Sequence, residues 1–227
     1  CIVLSGRSPP TAEIDVLAEV VPRIKNATGL RICASLGLLD DCQARRLKAC
    51  GVDRVNHNLN TSERFYPRIC STHAYGERLE TLRRVRAAGL EICCGGIVGM
   101  GESDEDVVEL ALRLGELQVE ATPVNFFLPI EGTRLMIEAG GPPAALTPRH
   151  CLKVLCLFRL ANPACELRIA AGREVHLRSL QPLGLYAANS IFVGDYLTTQ
   201  GQPPDDDCRM LADLGFEAVR DGAARGV

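Results

Sequence analysis

Three cysteines occupy equivalent places in three apolar runs: Cys1 in Cys1-Ile2-Val3-Leu4-Ser5, Cys33 in Arg31-Ile32-Cys33-Ala34-Ser35-Leu36, and Cys93 in Leu90-Glu91-Ile92-Cys93-Cys94-Gly95-Gly96. Their separations of 32 and 60 residues are close to one and two strand–helix units. Thiolates bind soft metal ions and iron–sulfur clusters, so three thiols turned into one interior could hold either. A Cys-rich apolar layer is the alternative, since free cysteine is among the most buried residue types, and spacing alone leaves both open. Of the other cysteines, Cys42, Cys50, Cys151 and Cys156 fall on expected helices, Cys70, Cys165 and Cys208 in connections, and Cys94 points away from Cys93. These are read as packing or incidental. Arg168 is a lone charge in the apolar run Leu167-Arg168-Ile169-Ala170-Ala171. A buried guanidinium needs an anionic partner, which could be a local acid or thiolates and sulfides in the same lumen.

Two further segments could bind ligands. Asn56, Asn58 and Asn60 alternate in Val55-Asn56-His57-Asn58-Leu59-Asn60-Thr61-Ser62. Three amides on one strand face offer the donor and acceptor pairs that read a urea, a ribose or an amide, and the alternation favours this over a simple Asn-rich turn. His57 would face the other way and is structural. Gly95-Gly96-Ile97-Val98-Gly99-Met100-Gly101-Glu102 lets a backbone approach a ligand closely, but its spacing is not that of the dinucleotide-binding fingerprint.

These residues need elements that bring them together. Apolar runs at 2–5, 31–36, 54–58, 90–97, 122–128, 166–170 and 190–193 alternate with amphipathic stretches at 11–26, 40–50, 74–88, 103–117, 147–160, 172–180 and 204–214. That is the pattern of repeated βα units and a parallel sheet. Pro9-Pro10-Thr11 and Ser103-Asp104-Glu105-Asp106 signal helix starts, and Gly29, Gly51 and Gly89 signal helix ends. Seven units fit a (β/α)8 TIM-type barrel that is incomplete by its first unit, since a full barrel takes about 250 residues. An open doubly wound sheet is the competitor. Gly140-Gly141-Pro142-Pro143 marks an irregular loop.

Composition narrows the function classes. The 227 residues carry 25 basic and 28 acidic side chains for a net charge of -3, with 47% hydrophobic residues. Disorder is excluded, and no basic run offers a footprint for nucleic acid or an anionic membrane. No stretch approaches the ~20 apolar residues of a spanning helix, and the start lacks a signal peptide's basic and apolar regions, so a cytoplasmic protein is expected. A strand beginning at residue 1, which is Cys and not Met, suggests a trimmed chain.

The chain resembles the biotin synthase family of radical S-adenosylmethionine enzymes along nearly its whole length. The motifs that carry the resemblance are Asn56-His-Asn-Leu-Asn-Thr-Ser, Cys93-Cys-Gly-Gly-Ile-Val-Gly-Met-Gly-Glu, Pro123-Val-Asn-Phe-Phe-Leu-Pro-Ile-Glu-Gly-Thr, Arg168-Ile-Ala-Ala-Gly-Arg-Glu and Ala188-Asn-Ser-Ile-Phe-Val-Gly. It implies a radical-mediated sulfurtransferase that inserts sulfur into dethiobiotin. In that family a 4Fe-4S cluster reduces S-adenosylmethionine to a 5′-deoxyadenosyl radical, and a 2Fe-2S cluster donates the sulfur. The ligands to the second cluster fall on Cys1, Cys33, Cys93 and Arg168. Carried over in the same way, Asn56, Asn58 and Asn125 would meet the dethiobiotin ureido ring. Asn58 and Asn60 would meet the ribose of S-adenosylmethionine, Arg78 its methionyl end, and Ile97 and Leu128 its adenine. Many relatives have Asp where this chain has Asn60. Family precedent adds an electron donor of flavodoxin or ferredoxin type and a homodimer.

The same resemblance implies two continuous parts: residues 1–130 as barrel core without its first unit, and residues 131–227 as a C-terminal part of the biotin- and thiamin-synthesis-associated type. The family's Cys-x3-Cys-x2-Cys loop, which holds the four-iron cluster, has no counterpart in this sequence. The 227 residues alone are therefore expected not to cleave S-adenosylmethionine reductively, and a raw sheet edge at residues 2–5 is expected to make them poorly stable or aggregation-prone. Two other readings are a non-catalytic iron–sulfur or metal-binding barrel and a related radical enzyme with another substrate. The Cys1, Cys33, Cys93 and Arg168 set argues against the latter, whose relatives need no sulfur donor there.

Overall fold

The structure is a computed structural model that describes residues 1–138, 143, 145–196 and 199–219. The expected irregular loop at 140–143 lies, apart from Pro143, outside the described residues. Strand and helix alternate from the start: β1 (Ile2–Val3), α1 (Thr11–Thr28), β2 (Cys33–Ser35), α2 (Asp41–Ala49), β3 (Arg54–Asn56), a short α3 (Tyr66–Ile69) and α4 (Tyr75–Ala87). Next come β4 (Glu91–Cys93), β5 (Gly96–Val98), α5 (Asp104–Glu116), β6 (Ala121–Phe126), a short α6 (Arg134–Glu138), α7 (Pro148–Ala161) and β7 (Glu166–Ile169). The chain continues through α8 (Arg173–Leu177), a 3-10 turn (Arg178–Leu180), α9 (Gln181–Gly184), β8 (Ser190–Ile191) and α10 (Pro204–Asp213).

Every pairing is parallel, in the order β1-β2-β3-β4-β6-β7-β8, with β5 also on β6. Seven strand positions thus form an open, barrel-like sheet, as the sequence pattern predicts. Alternate residues face opposite sides of a strand. Ala34, Val55, Ile92, Val124 and Leu167 are buried in the hydrophobic core together with Val21, Leu47, Leu82, Val85, Leu110, Leu114, Leu155 and Phe158 of the helices. Each large side chain so buried contributes about 1.5–3 kcal/mol. Cys33, Asn56 and Cys93 belong to the other set and turn toward the concave interior.

The helix signals act as expected. Ser103 accepts from the amide of Asp106, whose carboxylate returns a bond to the Ser103 amide, a capping box. Gly29, Gly51 and Gly89 follow their helices at φ 67, 98 and 74°, where glycine is favoured.

Four expectations need correction. The run at 90–97 is two strands, because the chain kinks at Cys94-Gly95; a Cβ on Gly95 would stand 1.9 Å from the Pro123 carbonyl oxygen, so only glycine fits. The stretch at 172–180 is not one helix: Arg178 turns left-handed at φ 51° and Pro182 restarts the chain as α9. Cys208 lies on α10, not in a connection. β3 ends at Asn56, short of the expected 54–58, so Asn58 and Asn60 lie beyond the strand, Asn60 at φ 70°.

Candidate functional site

Parallel register sets the candidates side by side. Cys33 on β2 is opposite Arg54 on β3, Arg54 is opposite Glu91 on β4, and Asn56 is opposite Cys93. Farther round, Pro123 is opposite Arg168 on β7, and Arg168 is opposite Ser190 on β8. A cavity of about 230 Å³ opens here, lined by Arg31, Ile32, Cys33, Asp53, Arg54, Glu166 and Arg168. Two of the four candidate metal ligands, Cys33 and Arg168, therefore share one cavity wall. Cys93 is buried next to them, and the Asn56 amide donates to its sulfur at 3.3 Å. Cys1 is exposed at the start of the chain, where its ammonium acts on Cys33.

The electrostatics are those of protonated thiols beside cations. Burial pushes the Cys33 thiol up, against the pull of the Arg54 guanidinium, the Cys1 ammonium and the Arg168 guanidinium. Burial pushes Cys93 up as well, and Cys33 adds to it, while the Asn56 bond and the Arg168 and Arg54 charges oppose the shift. Metal binding would displace these protons and turn the nearby guanidinia into counter-ions. Among the described residues no three His, Cys, Asp or Glu side chains gather closely enough for a single metal ion. A two-iron cluster spreads its ligands over two irons; the Cys33 and Cys93 thiols, on one face of the sheet, are donors of the kind it takes, whereas Arg168 is held as a guanidinium by Glu166 and Cys1 is exposed.

Arg168 has a local acid, as one of the two sequence readings allows. Its Nη2 donates to Glu166 in a short contact and its Nε to the Ser190 hydroxyl at 2.9 Å, while its guanidinium sits 5.1 Å from the Phe192 ring centre. Sequence reasoning missed the rest of this network. Arg54 donates to Glu91 at 2.9 and 3.0 Å and to Glu166 at 3.0 Å, and Arg31 pairs with Glu91. Charged residues that open three apolar runs were the available signal.

The asparagines expected to bind ligands, with Arg78, form a second cluster at the strand ends. Asn58 Oδ1 accepts from the Gly95 amide at 3.0 Å and from Asn56 Nδ2 at 3.4 Å. Asn60 is held by its backbone, with its amide to the Gly95 carbonyl and its carbonyl to the Ile97 amide. Asn125 donates to the Gly96 carbonyl at 3.1 Å and accepts from the Ala171 amide. Arg78 on α4 reaches in, donating to the Asn58 carbonyl at 2.6 Å and to the Tyr66 hydroxyl at 2.5 Å. Ile97 is opposite Asn125 in the register, and both Ile97 and Leu128 are half-buried. His57 is buried; desolvation, with the Arg78 and His73 charges, lowers it to about 3. It stays neutral, consistent with a structural role. Cys70 differs from the other thiols: burial raises it, but bonds from Thr72 and Tyr66 outweigh that and bring it down to about 7.

The chain matches two family models, the radical SAM superfamily over residues 1–114 and the biotin and thiamin synthesis associated domain over residues 123–217. It is 58% identical over 219 residues to a biotin synthase of Rhodopirellula baltica, covering 96% of this chain and 60% of that one. It is 54% identical to a biotin synthase of Bacillus subtilis, covering 96% and 63%. The chain thus spans less than two thirds of the length of these relatives. In fold it is similar to methylornithine synthase (TM-score 0.75, 20% identity, covering 91% of this chain and 64% of that one). It is also similar to the FeFe-hydrogenase maturase HydG of Carboxydothermus hydrogenoformans (TM-score 0.73, 18% identity, covering 95% and 54%).

Proposed function

From the premise that this chain belongs to the radical SAM superfamily, we propose that it serves a biotin synthase, a radical enzyme that inserts sulfur into dethiobiotin. The reading is supported above all by one juxtaposition: Cys33, Cys93 and Arg168, far apart in sequence, turn toward one interior beside one cavity. S-adenosylmethionine with a 4Fe-4S cluster would supply hydrogen abstraction, and a 2Fe-2S cluster the sulfur.

The chain's own residues hold and aim. Cys1, Cys33, Cys93 and Arg168 would ligate the two-iron cluster. Asn56, Asn58 and Asn125 would pair with the ureido group of dethiobiotin, whose N–H and C=O match amide donors and acceptors. Asn58 and Asn60 would bond the ribose, Arg78 would hold the methionyl carboxylate by its fork, and Ile97 and Leu128 would cover the adenine. The backbone bonds that fix Asn58, Asn60 and Asn125 preorganise these contacts. We read residues 1–130 and 131–227 as two parts of one barrel, since β6 pairs with strands on either side of it. We place the protein in the cytoplasm, as a homodimer fed by a flavodoxin- or ferredoxin-type donor; among the described residues no helix is long and apolar enough to cross a membrane.

The test is anaerobic reconstitution of the full-length protein with iron and sulfide, followed by assay of dethiobiotin conversion. Joint replacement of Cys33 and Cys93 by alanine is expected to abolish biotin formation. Turnover that survives it removes the sulfur-donor assignment.

A further inference from the structure

Arg54 joins both halves of the cavity wall. It opens β3, with Cys33 opposite it on β2 and Glu91 opposite it on β4. Its guanidinium also crosses to β7, where Nη1 donates to Glu166 Oε2 at 3.0 Å. The other oxygen of that carboxylate, Oε1, accepts from Arg168 and, at 3.2 Å, from Ser190. Glu166 is therefore a bridge with a guanidinium on each oxygen.

We propose that Arg54 is a positioning residue for the cluster site: through Glu166 it holds the Arg168 guanidinium against the cavity that Cys33 lines. This rests on the sulfur-donor reading above. Three observations favour it over a simple strut at the base of the sheet. Arg54, Glu166, Arg168 and Cys33 all line the same cavity. Counted as charges, Arg31, Arg54 and Arg168 face only Glu91 and Glu166 in this network, and the remaining lining acid, Asp53, is paired with Lys25 at 2.7 Å. One positive charge is left over on a wall whose thiol, Cys33, becomes anionic when it takes metal. The two-sided grip on Glu91 and Glu166 also needs a planar fork, which lysine lacks.

The experiment compares parent, Arg54→Lys, Arg168→Met and the double variant in the full-length protein, reconstituted anaerobically with iron and sulfide. The midpoint potential of the two-iron cluster, its visible spectrum, iron per chain and the melting temperature are read for each. Arg54→Lys keeps the charge and loses the fork, so a shifted potential and spectrum are expected, and no further shift when it is added to Arg168→Met. Loss of iron from Arg54→Lys at an unchanged melting temperature supports the same assignment. A potential and spectrum equal to the parent's, an equal effect with and without Arg168, or loss of iron together with melting temperature would each overturn it. A parent that assembles no two-iron cluster would overturn the sulfur-donor reading, and this inference with it.

Discussion

At the scale of single residues, the cluster of Asn58, Asn125 and Arg78 is held largely through bonds to backbone groups. Arg78 spends two donors on protein, one on the Asn58 carbonyl and one on the Tyr66 hydroxyl, and its guanidinium lies 5.5 Å from the Tyr66 ring centre. Those contacts fix the plane of the fork before any ligand arrives. Lysine can neither hold both bonds nor present a fork to a carboxylate. A bond to a charged group contributes about 1.5–3 kcal/mol, so Arg78→Lys is expected to weaken S-adenosylmethionine binding by roughly 10- to 100-fold. Equilibrium dialysis on the full-length protein checks this, and an unchanged dissociation constant would remove Arg78 from the pocket. Asn60 belongs to the same logic. Its left-handed backbone at φ 70° suits Asn or Asp alike.

At the scale of elements, α5 is tied to the connection after β3 through one carboxylate. Asp106 accepts from the Ser62 hydroxyl at 2.6 Å, from the Ser103 amide and hydroxyl at 2.9 Å, and from Arg64. Burial raises this acid, but the bonds from Ser62, Ser103 and Arg64 outweigh it and hold the carboxyl well below the usual carboxylate range. A depressed acid binds its proton less readily in the folded state. Its contribution is therefore present above the unfolded value of about 3.9 and lost as pH falls through the lower folded value. Asp106→Asn is expected to cost roughly 1–3 kcal/mol at neutral pH, with the gap to the parent narrowing as pH falls below about 3.9. Thermal melts across that range test it; a gap independent of pH would show that the charge is not what counts. Elsewhere a fully buried ion pair, Arg173 with Asp207 at 2.6 Å, fastens α10 to α8.

At the scale of the whole molecule, the legible part was what is written locally. Strand positions followed from runs of apolar residues, helix ends from Gly29, Gly51, Gly89 and Ser103, and the placing of Cys33 and Cys93 on one face of the sheet from one residue type recurring at one place in successive units. What stayed hidden depends on tertiary approach. Gly95 gave no sign that Pro123 would press on it. Alternation at Asn56, Asn58 and Asn60 could not reveal that the last turns left-handed. Arg54 finds Glu166 at a distance of 112 residues, which no local period encodes. The sheet itself yields the last expectation. Among the described residues β1 has only β2 beside it and β8 only β7, so two rows of backbone donors and acceptors lack a strand partner, next to Val3, Phe192 and Val193, all exposed. Such edges template further pairing, whereas a closed barrel has none. The 227-residue polypeptide, produced by itself, is therefore expected to self-associate, with a mass by light scattering that rises with concentration. A lysine on an edge strand, as in Val3→Lys, should reduce that rise, because a charge on an edge opposes pairing. A mass that stays monomeric at every concentration would mean that the edges are protected within the chain.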